Sequence, residues 1–171
     1  RLLDTTPEVL DQEDAAEVSE IEGHVEFDHV TFRYRPELPE VLCDVCLEIQ
    51  PGETVALVGP TGAGKTSISN LIARFYDVTD GAVLIDGVGV RTVKQRQLHR
   101  QIGLVPQDSF LFSGTIADNI RFGKPEASQE EVEQVAKLAN AHEFILQKPE
   151  GYETVIQEGA SNLSVGQRQL V

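Results

Sequence analysis

The sequence predicts an α/β fold, a core of strands and helices joined to a helical lobe. Three observations carry that reading. Short apolar runs of strand length ("TVALVG", "AVLIDG", "IGLVP") alternate with helical spacings through the middle of the chain, each flanked by Gly or Pro. A glycine-rich loop, "GPTGAGKT", joins the first of these runs to a helical pattern. After Pro125 helical signals dominate. Alternating elements followed by helices suit an α/β core with a helical lobe inserted or appended.

Taken in order, the stretch up to Gly23 lacks sustained periodicity and reads as a connecting arm. "HVEFDHVTFRY" and "VLCDVCLEI" read as two strands around the proline-rich turn "RPELPE". "PGE" turns the chain into "TVALVG", whose unbroken apolar character predicts a buried strand. "KTSISNLIARFY" follows with Ile68, Leu71, Ile72 and Phe75 at helical spacing. "AVLIDG" and "IGLVP" predict two further strands, separated by the basic and exposed "VRTVKQRQLHR". "LFSGTIADNI" reads as a loop entering a short helix capped by Thr115 and Asp118. Ser128 and Glu131 form a capping box for the clearest helix, with Val132, Val135, Ala136 and Ala139 on its apolar face. Pro149 and Gly151 close that region.

The 171 residues are 40% apolar and 25% charged, values of a globular domain large enough to bury a core. No stretch approaches the roughly 18 uninterrupted apolar residues of a membrane span, and no leader pattern is present. A net charge of −14 argues against a general nucleic-acid binder. Ten carboxylates against Arg1 within residues 1–28 supply −9 of it, which reads as a solvated linker. Cys43 and Cys46 form a C-x-x-C inside an extended run, where residues three apart point to opposite faces. No second pair exists and His24, His29, His99 and His142 show no ligand-like spacing, so the cysteines read as ordinary, reduced strand residues.

"GPTGAGKT", Gly59 to Thr66, satisfies G-x-x-x-x-G-K-[ST] at every fixed position, with a strand before and a helix after. Gly59, Gly62 and Gly64 permit close backbone approach, so that successive N–H groups, including those of Thr61 and Ala63, converge on phosphate oxygens. The helix starting near Gly64 adds its positive end, and Ser67 lies in its first turn. Lys65 reaches the β- and γ-phosphates, and the Thr66 hydroxyl suits Mg²⁺. These residues predict a nucleoside triphosphate site.

From Val25 onward the sequence resembles the nucleotide-binding domain of ATP-binding cassette (ABC) transporters of the exporter type, on several separated motifs in the expected order. Tyr34, 25 residues before Gly59, matches the aromatic that stacks on adenine. Gln107 in "IGLVPQDSFLFSG" matches the Q-loop glutamine, which contacts Mg²⁺ and the attacking water. "LSVGQ" resembles the signature LSGGQ, in which Ser164, Gly166 and Gln167 contact the ATP held by a partner subunit. The resemblance implies a RecA-like P-loop NTPase core with an antiparallel β subdomain and a helical subdomain carrying the signature. It implies an acidic linker over 1–22 following a transmembrane domain, a core over about 23–108 and a helical subdomain over about 109–171. It further implies ATP and Mg²⁺, catalytic roles for Lys65 and Gln107, a head-to-tail second nucleotide-binding domain, transmembrane partners and the cytoplasmic face of a membrane.

Some positions depart from the family pattern. Val165 replaces a signature glycine, and Gln157 and Ala160 stand where the coupling loop commonly has glycine, while Glu158 is retained. No Walker B strand ending in Asp-Glu, and no switch histidine, follows the signature within these residues. The expectation is therefore part of an ATPase that binds ATP–Mg²⁺ without appreciable turnover alone, with a sheet edge left open and reduced stability. Two alternatives stand beside the exporter reading. One is a dimerising or regulatory module with a degenerate site, and the other is a soluble, non-transport ABC ATPase.

Overall fold

A computed structural model describes residues 9–17, 20–106 and 110–171. Two compact units divide the chain, Arg1–Gly103 and Leu104–Val171. None of the helices is long and apolar enough to cross a membrane among the described residues.

The first unit is built on an antiparallel four-stranded sheet, ordered β2-β1-β3-β4. Its strands are β1 (Val25–Phe32), β2 (Leu42–Ile49), β3 (Asp80–Ile85) and the two-residue β4 (Val88–Gly89). Phe27, Val30 and Phe32 of β1 are all buried, although Phe27 and Val30 are an odd number of residues apart. A register shift between them restores the inward face. At that irregularity His29 (φ 49°) and Asp44 (φ 52°) both adopt left-handed backbone. Gly81 lets β3 pass alongside, since a β-carbon there would lie 2.3 Å from the His29 carbonyl oxygen.

The same irregularity corrects the reading of the cysteines. Asp44 resets the alternation of β2, so Cys43 and Cys46 are both exposed rather than on opposite faces. Both are free thiols, as expected.

Helix α1 (Lys65–Ile72) sends Leu71 into the core formed by Phe27, Val30, Phe32, Leu42, Val83 and Ile85. It stops earlier than the apolar spacing predicted. Arg74 takes left-handed backbone, and Phe75 N–H returns to the Asn70 carbonyl, so Phe75 swings to the surface. The basic segment expected to be exposed is half internal. Val90, Val93 and Leu98 are buried around a short 3₁₀ turn (Val90–Thr92) and α2 (Gln95–His99). Its charged side chains face outward while every third or fifth residue anchors it.

Two predicted strands are not formed. Residues 54–59 and 102–106 make no ladder among the described residues, and Val58 is 93% exposed. An apolar run becomes a strand only when another strand accepts its hydrogen bonds, and the four-stranded sheet pairs with neither.

The arm is not simply solvated. Ala16 forms a parallel bridge with Val93, Ala15 is buried, and Glu17 pairs with Lys94 at 2.8 Å. Its main anchor is Arg74, 1% exposed, whose Nη1 donates to Asp11 Oδ1 at 3.1 Å and Val93 O at 2.7 Å. Nη2 donates to Leu10 O at 3.0 Å and Nε to Asp77 at 3.2 Å. A guanidinium buried this deeply is tolerable because its donors are matched by two carboxylates and two carbonyls.

The second unit is helical, with α3 (Ile116–Ile120), α4 (Gln129–Leu138), α5 (His142–Leu146) and α6 (Val165–Leu170). Its core gathers Ile116, Val132, Ala136, Ala141, Ile145, Tyr152, Ile156 and Leu163. Both predicted caps are present. Thr115 with Asp118 and Ser128 with Glu131 close reciprocal capping boxes. The buried stripe of α4 is narrower than its spacing suggested: Val132 and Ala136 are inside, whereas Val135 and Ala139 are exposed.

Candidate functional site

The glycine-rich loop leaves residues 54–63 exposed and enters α1 at Gly64, which is buried with φ 84°. A β-carbon at Gly64 would meet Leu42 Cδ2 at 2.7 Å and the Val41 carbonyl oxygen at 3.3 Å. Backbone conformation and space both exclude a side chain there. The loop thereby enters α1 in close contact with Val41 and Leu42.

No side chain caps α1 at its N-terminus. Its opening N–H groups are left for another acceptor, the arrangement that suits an anion. Lys65 Nζ spans the loop, donating to the carbonyls of Gly59 and Pro60 at 2.8 Å each. The ammonium is thereby held against the loop backbone. Thr66 is exposed beside it and offers a hard oxygen donor of the kind Mg²⁺ takes. Thr61, Gly62 and Ala63 are exposed along the same loop. A cationic side chain, uncapped amides and open backbone fit a phosphate chain.

Ser67 belongs to the residues expected to bind the nucleotide. It is 3% exposed, and its hydroxyl lies 2.8 Å from the Tyr34 hydroxyl. Sequence spacing gives no hint of this bond, because the two residues lie 33 positions apart. Tyr34 is half-buried, its ring at right angles to Tyr76 (centroids 5.0 Å) and in edge contact with Phe32 (4.8 Å). The packing role of this tyrosine is thus realised on one side of the ring system, within reach of the first turn of α1.

Gln107 lies outside the described residues. The signature residues sit at the start of α6, in the second unit. Ser164 N-caps that helix: its Oγ accepts from Gln167 N–H at 3.2 Å, and its own N–H donates to Gln167 Oε1 at 3.1 Å. The two side chains expected to reach a nucleotide therefore cap each other. Gly166 has open space around it, and Val165 is 68% exposed, so the valine does not crowd the helix entry. In the coupling-loop stretch, Ala160 adopts φ 51°, a conformation that glycine takes without strain. The Asn162 side chain holds that turn through Gln157 N–H and the Val155 carbonyl.

One grouping was not foreseen. Across the β1–β2 irregularity, donor atoms of His29, Asp44 and Cys46 lie within 4.8 Å of one another, all exposed. His29 Nδ1 is 2.6 Å from Asp44 Oδ1, and that hydrogen bond holds the imidazole above its ordinary pKa. This is a surface ion pair with a thiol beside it. The left-handed backbone at both residues, invisible to spacing rules, creates it.

The family described as ABC transporter matches residues 42–171. The chain is 50% identical over 161 residues to the ATP-binding/permease protein YgaD of Bacillus subtilis (strain 168), covering 94% of this chain and 28% of that protein. It is 46% identical over 166 residues to the beta-(1→2)glucan export ATP-binding/permease protein NdvA of Brucella suis biovar 1, covering 97% of this chain and 28% of that protein. Among solved structures it superposes on a bacterial Atm1-family ABC exporter with ATP bound, with a TM-score of 0.91 and 42% identity. That match takes in 99% of this chain and 30% of the exporter chain. The chain thus spans under a third of the length of these relatives.

Proposed function

The chain belongs to the ABC transporter family as an ATP-binding domain of the exporter type, and on that premise we propose that the protein containing it couples ATP hydrolysis to export of a substrate. Residues 23–171 form part of a nucleotide-binding domain, with a core to about residue 108 and a helical subdomain beyond it. Residues 1–22 lead in from a transmembrane domain, and the domain works at the cytoplasmic face.

In this reading the loop amides from Gly59 to Lys65 and the uncapped start of α1 bind the phosphates. Lys65 leaves the Gly59 and Pro60 carbonyls and places its ammonium on the β- and γ-phosphate oxygens. There it stabilises the charge that develops as the terminal phosphoryl group transfers to water. Thr66 and Gln107 would hold Mg²⁺ from this chain, and the ion would supply further positive charge to the phosphates. Gln107 also orients the attacking water, and Tyr34 supports the adenine. The start of α6, with Ser164, Gly166 and Gln167, addresses ATP held by a second nucleotide-binding domain in a head-to-tail pair. With Ser164 and Gln167 committed to each other, the donors that the helix start offers are the amides of Val165 and Gly166.

The observation carrying this reading is Lys65 held at 2.8 Å from two loop carbonyls beside an uncapped helix start. The test is Lys65→Ala in the full-length protein reconstituted in lipid vesicles. Loss of at least a hundredfold in ATP hydrolysis, with transport lost in parallel, is expected. Hydrolysis retained within a few-fold of wild type would overturn it.

A further inference from the structure

Two irregularities flank the Val30–Val45 pair of the β1–β2 ladder, one in each strand. On one side Asp28 and His29 face the single residue Cys46, and on the other Cys43 and Asp44 face the single residue Thr31. Such bulges re-aim the side chains they carry. His29 and Asp44 are the left-handed residue of each. Both backbones are fixed by neighbours. Gly81 of β3 lies against the His29 carbonyl, closer than a side chain would allow, and the Asp44 N–H donates to Thr31 Oγ1 at 3.2 Å. An imidazole, a carboxylate and a thiol converge there, with the donor atoms of His29, Asp44 and Cys46 within 4.8 Å of one another. Cys43 is engaged elsewhere, its thiol donating to Glu40 at 3.6 Å.

We propose that His29, Asp44 and Cys46 form a Zn²⁺ site that clamps β1 to β2, with water completing the coordination. Zn²⁺ takes nitrogen, oxygen and sulfur ligands at about 2.0–2.3 Å, which sets tetrahedral ligand atoms roughly 3.3–3.8 Å apart. The 2.6 Å His29–Asp44 hydrogen bond opens to that spacing and the wider separations close to it. Movements of about 1 Å suffice, and rotation of exposed side chains supplies them. The thiol binds as thiolate and releases its proton to solvent. A thiolate and an imidazole select against Mg²⁺, which takes oxygen ligands. The site shares no residue with the phosphate loop, so it stands apart from the nucleotide's own metal.

The experiment uses the untagged full-length protein, reduced, stripped of metal and held in lipid nanodiscs. It is titrated with Zn²⁺ against a chromogenic indicator and, separately, with Co²⁺, both in excess Mg²⁺. Co²⁺ should give a thiolate-to-metal charge-transfer band in the wild type and in Cys43→Ser, and none in Cys46→Ser. Zn²⁺ binding should weaken at least about tenfold in Cys46→Ser, His29→Asn and Asp44→Asn, since even the loss of a residue that only supports a ligand costs that much. Asparagine tolerates left-handed backbone, so the last two variants keep the bulges. Zn²⁺ affinity unchanged in His29→Asn or Asp44→Asn would reduce the site to a lone thiol and overturn the proposal. Equal losses in Cys43→Ser and Cys46→Ser, or displacement of Zn²⁺ by the excess Mg²⁺, would also overturn it.

Discussion

Arg74→Ala removes the anchor that joins the acidic arm to the C-terminal end of α1. The guanidinium is 1% exposed and makes four hydrogen bonds, to Asp11, Asp77, Leu10 O and Val93 O. Bonds to a charged donor contribute about 1.5–3 kcal/mol each, but deletion also returns the desolvation cost of burying the charge. Breaking a buried pair typically costs about 3–5 kcal/mol. Asp11 and Asp77 are partly exposed and can rehydrate once freed, which places the loss near the lower end, about 3 kcal/mol. Hydrogen exchange in the full-length protein reads this locally. Gln95 N–H donates to Asp11 Oδ1 and Lys94 N–H to Ala16 O, so both report on arm docking. About 3 kcal/mol corresponds to roughly a hundredfold faster exchange at these amides. Asp11→Asn keeps an acceptor oxygen and loses only the charge, so it should accelerate exchange by about tenfold. Exchange in Arg74→Ala within threefold of wild type would refute the claim that Arg74 fastens the arm.

Two further perturbations follow from local geometry. Gly64→Ala combines left-handed strain of about 1–2 kcal/mol with overpacking against Leu42, so thermal unfolding and ATP binding should both suffer. Gly62→Ala, with open space at φ 87°, should carry the strain alone and lower the unfolding temperature by less. The Asp118 carboxylate sits below its ordinary pKa, first because it accepts a hydrogen bond from the Thr115 N–H and second through the Thr115 hydroxyl beside it. A depressed folded pKa means the contribution is present above the unfolded value of 3.8 and is lost as pH falls through the folded one. Circular dichroism should show α3 fraying on acidification in that window, and Asp118→Asn should remove this pH dependence.

Local signals in the sequence translated into structure where the interaction they encode spans a few residues. The capping boxes Thr115–Asp118 and Ser128–Glu131 span three residues each, and both formed. β1, β2 and β3 also arose where composition placed them. What escaped depends on contacts between distant segments. With left-handed backbone at His29 and Asp44, Cys43 and Cys46 are both exposed, and no period-2 rule anticipates a bulge. Residues 54–59 have strand composition, but strand formation is decided by a pairing partner rather than by the run itself. Nothing local in the sequence marks Arg74 for burial. Its burial became legible only once Asp11, 63 residues away, was seen beside it. Among the candidate site residues, the P-loop glycines and Lys65 stand out in the sequence because a phosphate site would dictate those residue types at that spacing. The partner of Ser67 does not, because only the fold brings Tyr34 to it.

Helix α1 shows how these two kinds of interaction combine. It has eight residues, no side-chain cap, no acidic residue in its first turn and no basic residue in its last. Helices of this length are marginal in water, and Thr66, Ile68 and Ile72 are β-branched, which lowers helix propensity further. α3, α4 and α6 carry capping boxes, whereas α1, like α2 and α5, has no side-chain cap. A serine or aspartate cap would stabilise α1 by about 1 kcal/mol, but it would occupy the amides that a phosphate needs. The stability is supplied from elsewhere along the helix. Leu71 enters the core, Ser67 bonds Tyr34, His99 Nε2 meets the Ala73 carbonyl at 2.7 Å, and Arg74 holds the arm. Each of these ties is made by a residue after Thr66, and none of them caps the helix start. Tertiary contacts thus hold in place a helix whose own sequence would not, and its N-terminal donors remain open to an anion.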